Sequence, residues 1–290
     1  MPPMLKKCTA FCCLFIGLFC SGFAQKVNEN NFNPPPDSLF NEIRYQSDGD
    51  APFIYTLKEL DITFEESGGS IIAVMDYHVR MKVLDASNPQ VAVVGIPYYR
   101  QDEIEQVTSI QAVTWNSPTQ SSVLDEDAVR TIDLNTRYNL KEFTMPEVQE
   151  GSVLEYSYQI RRRYIEELPA FYFANQVPTV LAKVTITYPQ YLRYKAVVQD
   201  SDFGVKHKEM RTPVYQEPQI FTNPQPDPIL KEVWTARDIP AVQKEKYISA
   251  LSDYRGKIKF QLSEFGIPRQ PLENSWKYVV EEIRQKQSPF

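Results

Sequence analysis

The feature that most constrains the fold is the alternation of apolar and polar side chains in SIIAVMDYHVRMKVLD, residues 70–85. Successive side chains of a strand point to opposite faces, so strict alternation over this length predicts a strand. The preceding segment, YTLKELDITFEES (residues 55–67), has a similar pattern and ends at the turn signal Ser67-Gly68-Gly69. The two segments together predict a β-hairpin.

More strand-like segments follow at intervals of about a dozen residues, whereas helical periodicity is almost absent before residue 238. They are QVAVVGIPYY, IEQVTSIQAVTW, SVLEYSYQIRRRY, KVTITYPQ, YKAVVQ and VYQEPQIF. Many short strands without alternating helices are typical of sandwiches rather than parallel α/β folds. We therefore predict an all-β chain whose main domain, residues 38–250, is a large antiparallel β-sandwich, immunoglobulin-like or supersandwich-like.

The C-terminal region, residues 251–290, is predicted to contain a strand at GKIKFQLSEF and then an α-helix at ENSWKYVVEEIRQK. The helix is indicated by apolar residues at positions i, i+3, i+4 and i+7, namely Trp276, Val279, Val280 and Ile283. We interpret this stripe as a docking surface. It would pack either on the sandwich or against a further domain that this chain lacks.

All four cysteines lie within the first twenty residues, at Cys8, Cys12, Cys13 and Cys20. Lys6 and Lys7 precede an apolar run at 10–19, and small residues lead to Ala24. This order of charge, apolar run and small-residue exit predicts a secretory signal peptide, residues 1–24. Two alternatives are an uncleaved anchor, for which the apolar run is short, and lipidation of Cys20, which the bulky Phe19 disfavours.

Cleavage after Ala24 would leave a chain without any thiol, and therefore without a cysteine nucleophile or a thiolate metal site. Residues 25–37, which include three consecutive prolines at 34–36, are predicted to be a Pro-rich linker. We expect an exported protein in the periplasm, or at the outer membrane or cell surface, of a Gram-negative bacterium. No transmembrane segment is expected after cleavage.

The net charge excludes one class of partner. The whole chain carries −6, and loss of two signal-peptide lysines gives −8, from 29 basic and 37 acidic residues. Nucleic-acid binding requires a basic surface, so no nucleic acid is expected as a partner.

Motifs of known catalytic chemistry are missing from the sequence: there is no Gly-x-Ser-x-Gly elbow, Walker loop or His-Glu-x-x-His helix. Asp76 and His78 share one strand face, as metal ligands could, but a solvated strand face carries such residues routinely. Adjacent acids such as Glu65 and Glu66 would point to opposite faces, which does not suit paired-carboxylate hydrolysis. No catalytic, cofactor or metal-binding residue is assigned, and no cofactor is expected.

The segment EYSYQIRRRYIEELPAFYFANQ is the most suggestive of binding. Aromatic rings beside arginine can stack on sugars or hold a peptide. The candidate binding patch consists of Tyr156, Tyr158, Arg162, Tyr164 and Tyr172. The alternative interpretation is a core face in the middle of the sandwich, because strands commonly bury aromatic residues.

Several short motifs between residues 50 and 286 resemble those of an uncharacterised family of exported bacterial proteins. They are Arg80 and Lys82, Ile96-Pro97-Tyr98, Pro146 with Gly151-Ser152 and Glu155-Tyr156, Trp234 with Pro240-Ala241, and Ser275-Trp276. In that family a β domain of unknown function precedes a transglutaminase-like domain, which carries a cysteine, a histidine and an aspartate. This chain stops near the final helix, so the catalytic domain that the resemblance implies is not part of it.

The resemblance implies a non-catalytic cell-envelope module that is an accessory or substrate-presenting domain for a transglutaminase-like peptidase domain. Its partner would be a protein, a peptide or an envelope polymer, and possible partners include that transglutaminase-like domain. The alternative is a free-standing carbohydrate-binding sandwich that uses the aromatic residues of 156–173.

Overall fold

The computed structural model describes residues 32–41, 51–199, 203–213, 228–242, 255–266 and 268–272. The predicted signal peptide, the strand-like segment VYQEPQIF (residues 214–221) and the C-terminal helix with Trp276, Val279, Val280 and Ile283 lie outside these residues. Within the described part, no helix is both long and apolar enough to cross a membrane.

The described residues are predominantly β-strand, as the alternation predicts, with one short helix, α1, at Ser38–Asn41. Three 3₁₀ turns lie at Pro89–Ala92, Gln101–Glu103 and Glu126–Ala128. The strands are β1 Phe53–Ser67, β2 Ser70–Val83, β3 Val93–Tyr99, β4 Glu105–Ser117, β5 Gln120–Val123, β6 Arg130–Asp133, β7 Tyr138–Thr144, β8 Val153–Arg162, β9 Phe171–Tyr172, β10 Thr179–Tyr188, β11 Leu192–Gln199, β12 Lys206–Pro213, β13 Pro228–Ile239, β14 Lys257–Phe265 and β15 Gln270–Pro271.

These strands form three sheets. The largest has eight strands in the order β12-β13-β10-β1-β2-β8-β4-β5. A four-stranded sheet has the order β11-β14-β15, with β9 also paired to β14, and a three-stranded sheet has the order β3-β7-β6. The predicted hairpin is confirmed, because β1 and β2 pair antiparallel and Ser67 lies opposite Ser70. Gly68 and Gly69 close this turn with φ of 59° and 78°, a backbone region that suits glycine.

The expectation of a wholly antiparallel sandwich is wrong at one place, since β1 pairs with β10 in parallel. Parallel neighbours need a long crossover connection. Here most of the other strands provide it, and Lys183 in β10 lies 124 residues after its partner Glu59 in β1. Local alternation predicts the existence of each strand but contains no information about such a distant pairing.

One face of the eight-stranded sheet carries two hydrophobic cores side by side. The first lies against the four-stranded sheet, where the rings of Trp234 and Phe260 are 5.1 Å apart. The second lies against the three-stranded sheet, with Phe143 and Leu154 both fully buried. Every second residue of strand β2 faces these cores. Ala73 and Met75 belong to the first core, and Val79, Met81 and Val83 belong to the second.

The opposite face of this sheet is partly covered by residues 32–41, which include the last part of the predicted Pro-rich linker. The ring of Phe32 stacks on His78 with centroids 5.6 Å apart. Leu39 and Phe40 pack with Val113, Trp115 and Val153 in a small third cluster. The described residues of the predicted linker therefore lie against the β domain.

Truncation of Phe260 should destabilise the first core. Phe260 is 1% exposed and contacts Trp234, so Phe260→Ala should lower the free energy of unfolding by about 3–5 kcal/mol through lost burial and a cavity. The matched control is Val197→Ala on the neighbouring strand β11, where the side chain is 50% exposed and the change should be within about 0.5 kcal/mol. Equal effects in urea denaturation would contradict this packing.

Candidate functional site

Two tyrosines of the predicted patch, Tyr156 and Tyr158, lie on the core face of β8. The ring of Tyr158 stacks on Tyr77 with centroids 4.6 Å apart and planes 10° apart, and it packs against both hydrophobic cores. The Tyr156 ring stacks on Tyr158 at 6.4 Å and meets Phe143 edge to face. Burial raises the pKa of both phenols well above the usual range. These rings form the junction between the two cores.

Arg162 and Tyr164 lie together at the end of β8. The Arg162 guanidinium forms a short ion pair with Glu105, a buried carboxylate, and lies 5.3 Å from the centroid of the Tyr164 ring. The Tyr164 side chain is 44% exposed. Of the three patch tyrosines in residues 156–164, Tyr164 has the most accessible ring.

The fifth patch residue, Tyr172, belongs to a different sheet, because β9 pairs with β14. Its ring lies under two cations: the Arg255 guanidinium carbon is 4.3 Å from the ring centroid and the Lys257 Nζ is 5.8 Å from it. The contacts of Tyr172 thus differ from those of the four patch residues at 156–164. The structure divides the predicted patch between a core junction, a strand end and this cationic environment.

The cationic environment of Tyr172 is the candidate functional site, and we refer to Lys58, Tyr172, Asn175 and Arg255 as the cation cluster. Lys58 Nζ donates to the Tyr172 carbonyl at 2.9 Å and to Asn175 Oδ1 at 3.0 Å. Arg255 Nη2 donates to the same Oδ1 at 2.6 Å, and Arg255 Nε donates to the Ala174 carbonyl at 2.8 Å. Two positive side chains therefore converge on a single neutral amide oxygen.

The loop between β9 and β10 gives Asn175 this orientation. The Asn175 amide nitrogen donates to the Phe173 carbonyl at 3.1 Å and to Thr179 Oγ1 at 3.2 Å, which leaves its oxygen directed at the cations. The Gly256 carbonyl accepts from the Phe173 backbone at 2.9 Å. A Cβ at Gly256 would lie 2.3 Å from the Phe203 ring, so the close contact between Gly256 and Phe203 depends on glycine.

The pKa values of the two cations in the cluster are shifted because their side chains are partly buried next to each other. Desolvation, together with the nearby Arg255 charge, lowers the pKa of the Lys58 amine from 10.5 to about 7. Burial also lowers the pKa of the Arg255 guanidinium below its usual range. The site therefore holds its positive charge at a cost and would bind a negative group with lower desolvation loss than a neutral surface would.

One sequence signal could have identified Lys58. The core face of β1 is formed by Leu60, Ile62 and Phe64, and Lys58 has the same parity along the strand. A lysine at an apolar position of an alternating strand indicates a buried cation. Asn175 and Arg255 have no such pattern, because they lie in irregular segments and meet Lys58 only through the tertiary fold.

Of the predicted same-face pair Asp76 and His78, only His78 takes part in an ionic network on the opposite side of the sheet. His78 Nε2 is 2.7 Å from Glu155 and its Nδ1 is 3.6 Å from Glu59, while Arg80 is 2.6 Å from Glu155. Asp76 instead accepts from Gln159 at 2.9 Å. In the described part of the chain, no three acidic, histidine or cysteine side chains are grouped as metal ligands would be.

This network shifts the pKa values of its members in opposite directions. The hydrogen bonds that His78 donates to Glu155 and then to Glu59 raise the pKa of His78 from 6.5 to about 9. The hydrogen bond from His78, and then that from Lys183, lower the pKa of Glu59 from 4.5 to about 2. The charged groups of this network are paired with one another and do not form an open site.

Residues 73–242 match the family described as "Domain of Unknown Function with solved-structure structure (DUF3857)". This match covers more than half of the chain, and the chain belongs to that family. The predicted membership of a family with a domain of unknown function is confirmed, while the link to a transglutaminase-like domain stays a prediction.

A solved structure from Parabacteroides distasonis ATCC 8503, titled a "putative protease", has a similar fold. The sequences are 14% identical, the TM-score is 0.57, and the similarity covers 73% of this chain and 41% of that one. The chain thus spans less than half the length of this structural relative. A comparison with curated proteins gives no match.

The stabilisation from His78 should depend on pH. Because its pKa is raised in the folded state, its contribution is complete below about pH 6.5 and is lost as the pH rises through 9. His78→Gln should therefore lower the free energy of unfolding more at pH 6 than at pH 9.5, measured by urea denaturation. Comparing the variant with the wild type cancels the opposite slope expected from the lowered pKa of Lys58. A constant difference across this range would contradict the ionic role.

Proposed function

We propose that this chain is a non-catalytic module of the cell envelope, an accessory or substrate-presenting domain that works with a transglutaminase-like peptidase domain. The observation that carries the proposal is the structural likeness to 41% of a protein titled a "putative protease". A domain that corresponds to less than half of such a protein can supply binding and orientation while the remainder supplies chemistry. The neutralised ionic network around His78 agrees with a framework role.

Export is part of this proposal. The signal-like residues 1–24 and the lack of cysteine after Cys20 suit an oxidising compartment. The proposed location is the periplasm or the outer membrane or surface of a Gram-negative bacterium. The proposed partner is a protein, a peptide or an envelope polymer, and the proposed docking element is the C-terminal helix with Trp276, Val279, Val280 and Ile283.

We further propose that the sheets are arranged as an immunoglobulin-like or supersandwich-like fold.

The alternative, a carbohydrate-binding sandwich, requires several exposed rings on one surface. Tyr156 and Tyr158 instead face the packed interior, and Tyr164 and Tyr172 belong to different surroundings. The geometry therefore favours the framework module over a glycan platform.

The two interpretations differ in what Tyr158→Ala should do. As a junction residue between two cores, Tyr158 should contribute strongly to stability, so the variant should lose about 3 kcal/mol or more of unfolding free energy. Tyr164→Ala, with a ring that is 44% exposed, is the matched control and should change stability by less than about 0.5 kcal/mol. A Tyr158→Ala variant of unchanged stability that had lost glycan binding would support the carbohydrate alternative.

The accessory role is tested by a binding titration between residues 25–290 and a separately produced transglutaminase-like domain from a longer family member. Trp276→Asp should weaken the complex at least about tenfold, because it places a charge in the predicted apolar stripe. Glu281→Gln, on the polar side of the same predicted helix, should leave the affinity unchanged. Peptide hydrolysis by residues 25–290 alone, or the absence of any complex, would contradict the proposal.

A further inference from the structure

The cation cluster has an unusual balance of charge. Its hydrogen-bond acceptors are the carbonyls of Tyr172 and Ala174 and the side-chain oxygen of Asn175, all of them neutral. Among the residues that the structure describes, no carboxylate forms an ion pair with Lys58 or Arg255. Lys58 and Arg255 therefore have hydrogen-bond acceptors, but no carboxylate of the described residues neutralises their positive charge.

Three other partly buried cations pair with carboxylates. Arg80 pairs with Glu155 at 2.6 Å, Lys183 pairs with Glu59 at 3.0 Å, and Arg162 pairs with Glu105. A purely structural link between the β9–β10 loop and β1 could use neutral donors at lower electrostatic cost. Within the described residues, two positive side chains without a carboxylate, in a chain with a net charge of −6, are a pair that a negatively charged ligand would complement.

The cation cluster is partly accessible and has aromatic neighbours, although its Asn175 side chain is buried. Lys58, Tyr172 and Arg255 are half-buried rather than enclosed. Lys58 Nζ lies 5.2 Å from the centroid of the Tyr55 ring, and the Arg255 guanidinium lies 4.3 Å from that of Tyr172. The Nε and Nη2 atoms of Arg255 already donate to Ala174 and Asn175. An anion would therefore be contacted through Nη1 and the remaining proton of Nη2.

We propose that Lys58 and Arg255 form a binding site for a carboxylate group beside Tyr172, and that its ligand is a peptide with a free carboxyl terminus. A guanidinium fork matches the geometry of a carboxylate, and the lysine adds a point charge next to it. The aromatic walls would contact the apolar part of the terminal residue. This inference does not depend on the accessory role, since the site lies within this chain and its binding can be measured on this chain alone.

A bound carboxylate should affect the protonation of Lys58. The groups near its amine are the Arg255 guanidinium, the Tyr172 carbonyl, Asn175 and the rings of Tyr55 and Phe171, and an added negative charge would favour the charged amine. Binding should therefore raise the Lys58 pKa above about 7. By linkage, the peptide should bind more tightly at pH 6 than at pH 8.5.

The experiment uses residues 25–290 and three probes: acetyl-Ala-Ala with a free carboxylate, the same peptide with a C-terminal amide, and inorganic phosphate. Titrations are followed by NMR of the lysine side chains and by calorimetry. The free-carboxylate peptide should bind, and the amide should bind at least about tenfold more weakly. Lys58→Met and Arg255→Gln should each reduce carboxylate binding by a similar factor. Lys259→Met, on the same strand β14 as Lys257, should leave it unchanged.

Three results would overturn the proposal: equal binding of peptide and amide, preference for phosphate over the peptide, or no binding of any probe. If either variant fails to fold in a thermal melt, the wild type provides a second measurement. Trinitrobenzenesulfonate should modify Lys58 selectively at pH 7.5, and the free-carboxylate peptide should protect it while the amide does not. Modification that is unaffected by the peptide would exclude the site.

Discussion

The pairing of β2 with β8 is the constraint on which the rest of the structure depends. This register places Tyr77 opposite Tyr158 and Met81 opposite Leu154 on the core face, and it brings His78 and Arg80 to Glu155 on the other face. A slip of one residue would turn Glu155 into the core and expose the tyrosine stack. Since β2 contributes to both hydrophobic cores, one ladder fixes the position of the four-stranded and the three-stranded sheet together.

The charged side chains on the two faces of the large sheet have different kinds of partner. On the outer face, the two carboxylates of Glu59 and Glu155 pair with His78, Arg80 and Lys183, and Phe32 stacks on His78. On the core face, Lys58 is held by neutral oxygen atoms next to a second cation. In the first arrangement every cation contacts a carboxylate, whereas in the second no carboxylate of the described residues pairs with either cation. That difference is the physical reason to look for a ligand at the cation cluster.

The alternation in residues 55–83 was sufficient to predict the hairpin, and LEYSYQI was sufficient to predict β8, because period two is a local property. The strand at GKIKFQLSEF is likewise confirmed as β14. The same period cannot say which face of β8 is buried, so Tyr156 and Tyr158 suited both a binding patch and a core. The parallel partner of β1 and the meeting of Lys58 with Arg255 depend on residues far apart in sequence, which no local pattern contains.

The parallel pairing of β1 with β10 also has a consequence for the order of folding. When β1 and β2 leave the ribosome, the other edge of β1 has no partner until β10 has been synthesised, more than a hundred residues later. Closing so long a loop is slow, and an unpaired central strand keeps its backbone donors accessible meanwhile. The centre of this sheet is thus completed only after β10 has been synthesised, so the stability of the β1–β2 hairpin before that point depends on its own pairing and on the strands made in between.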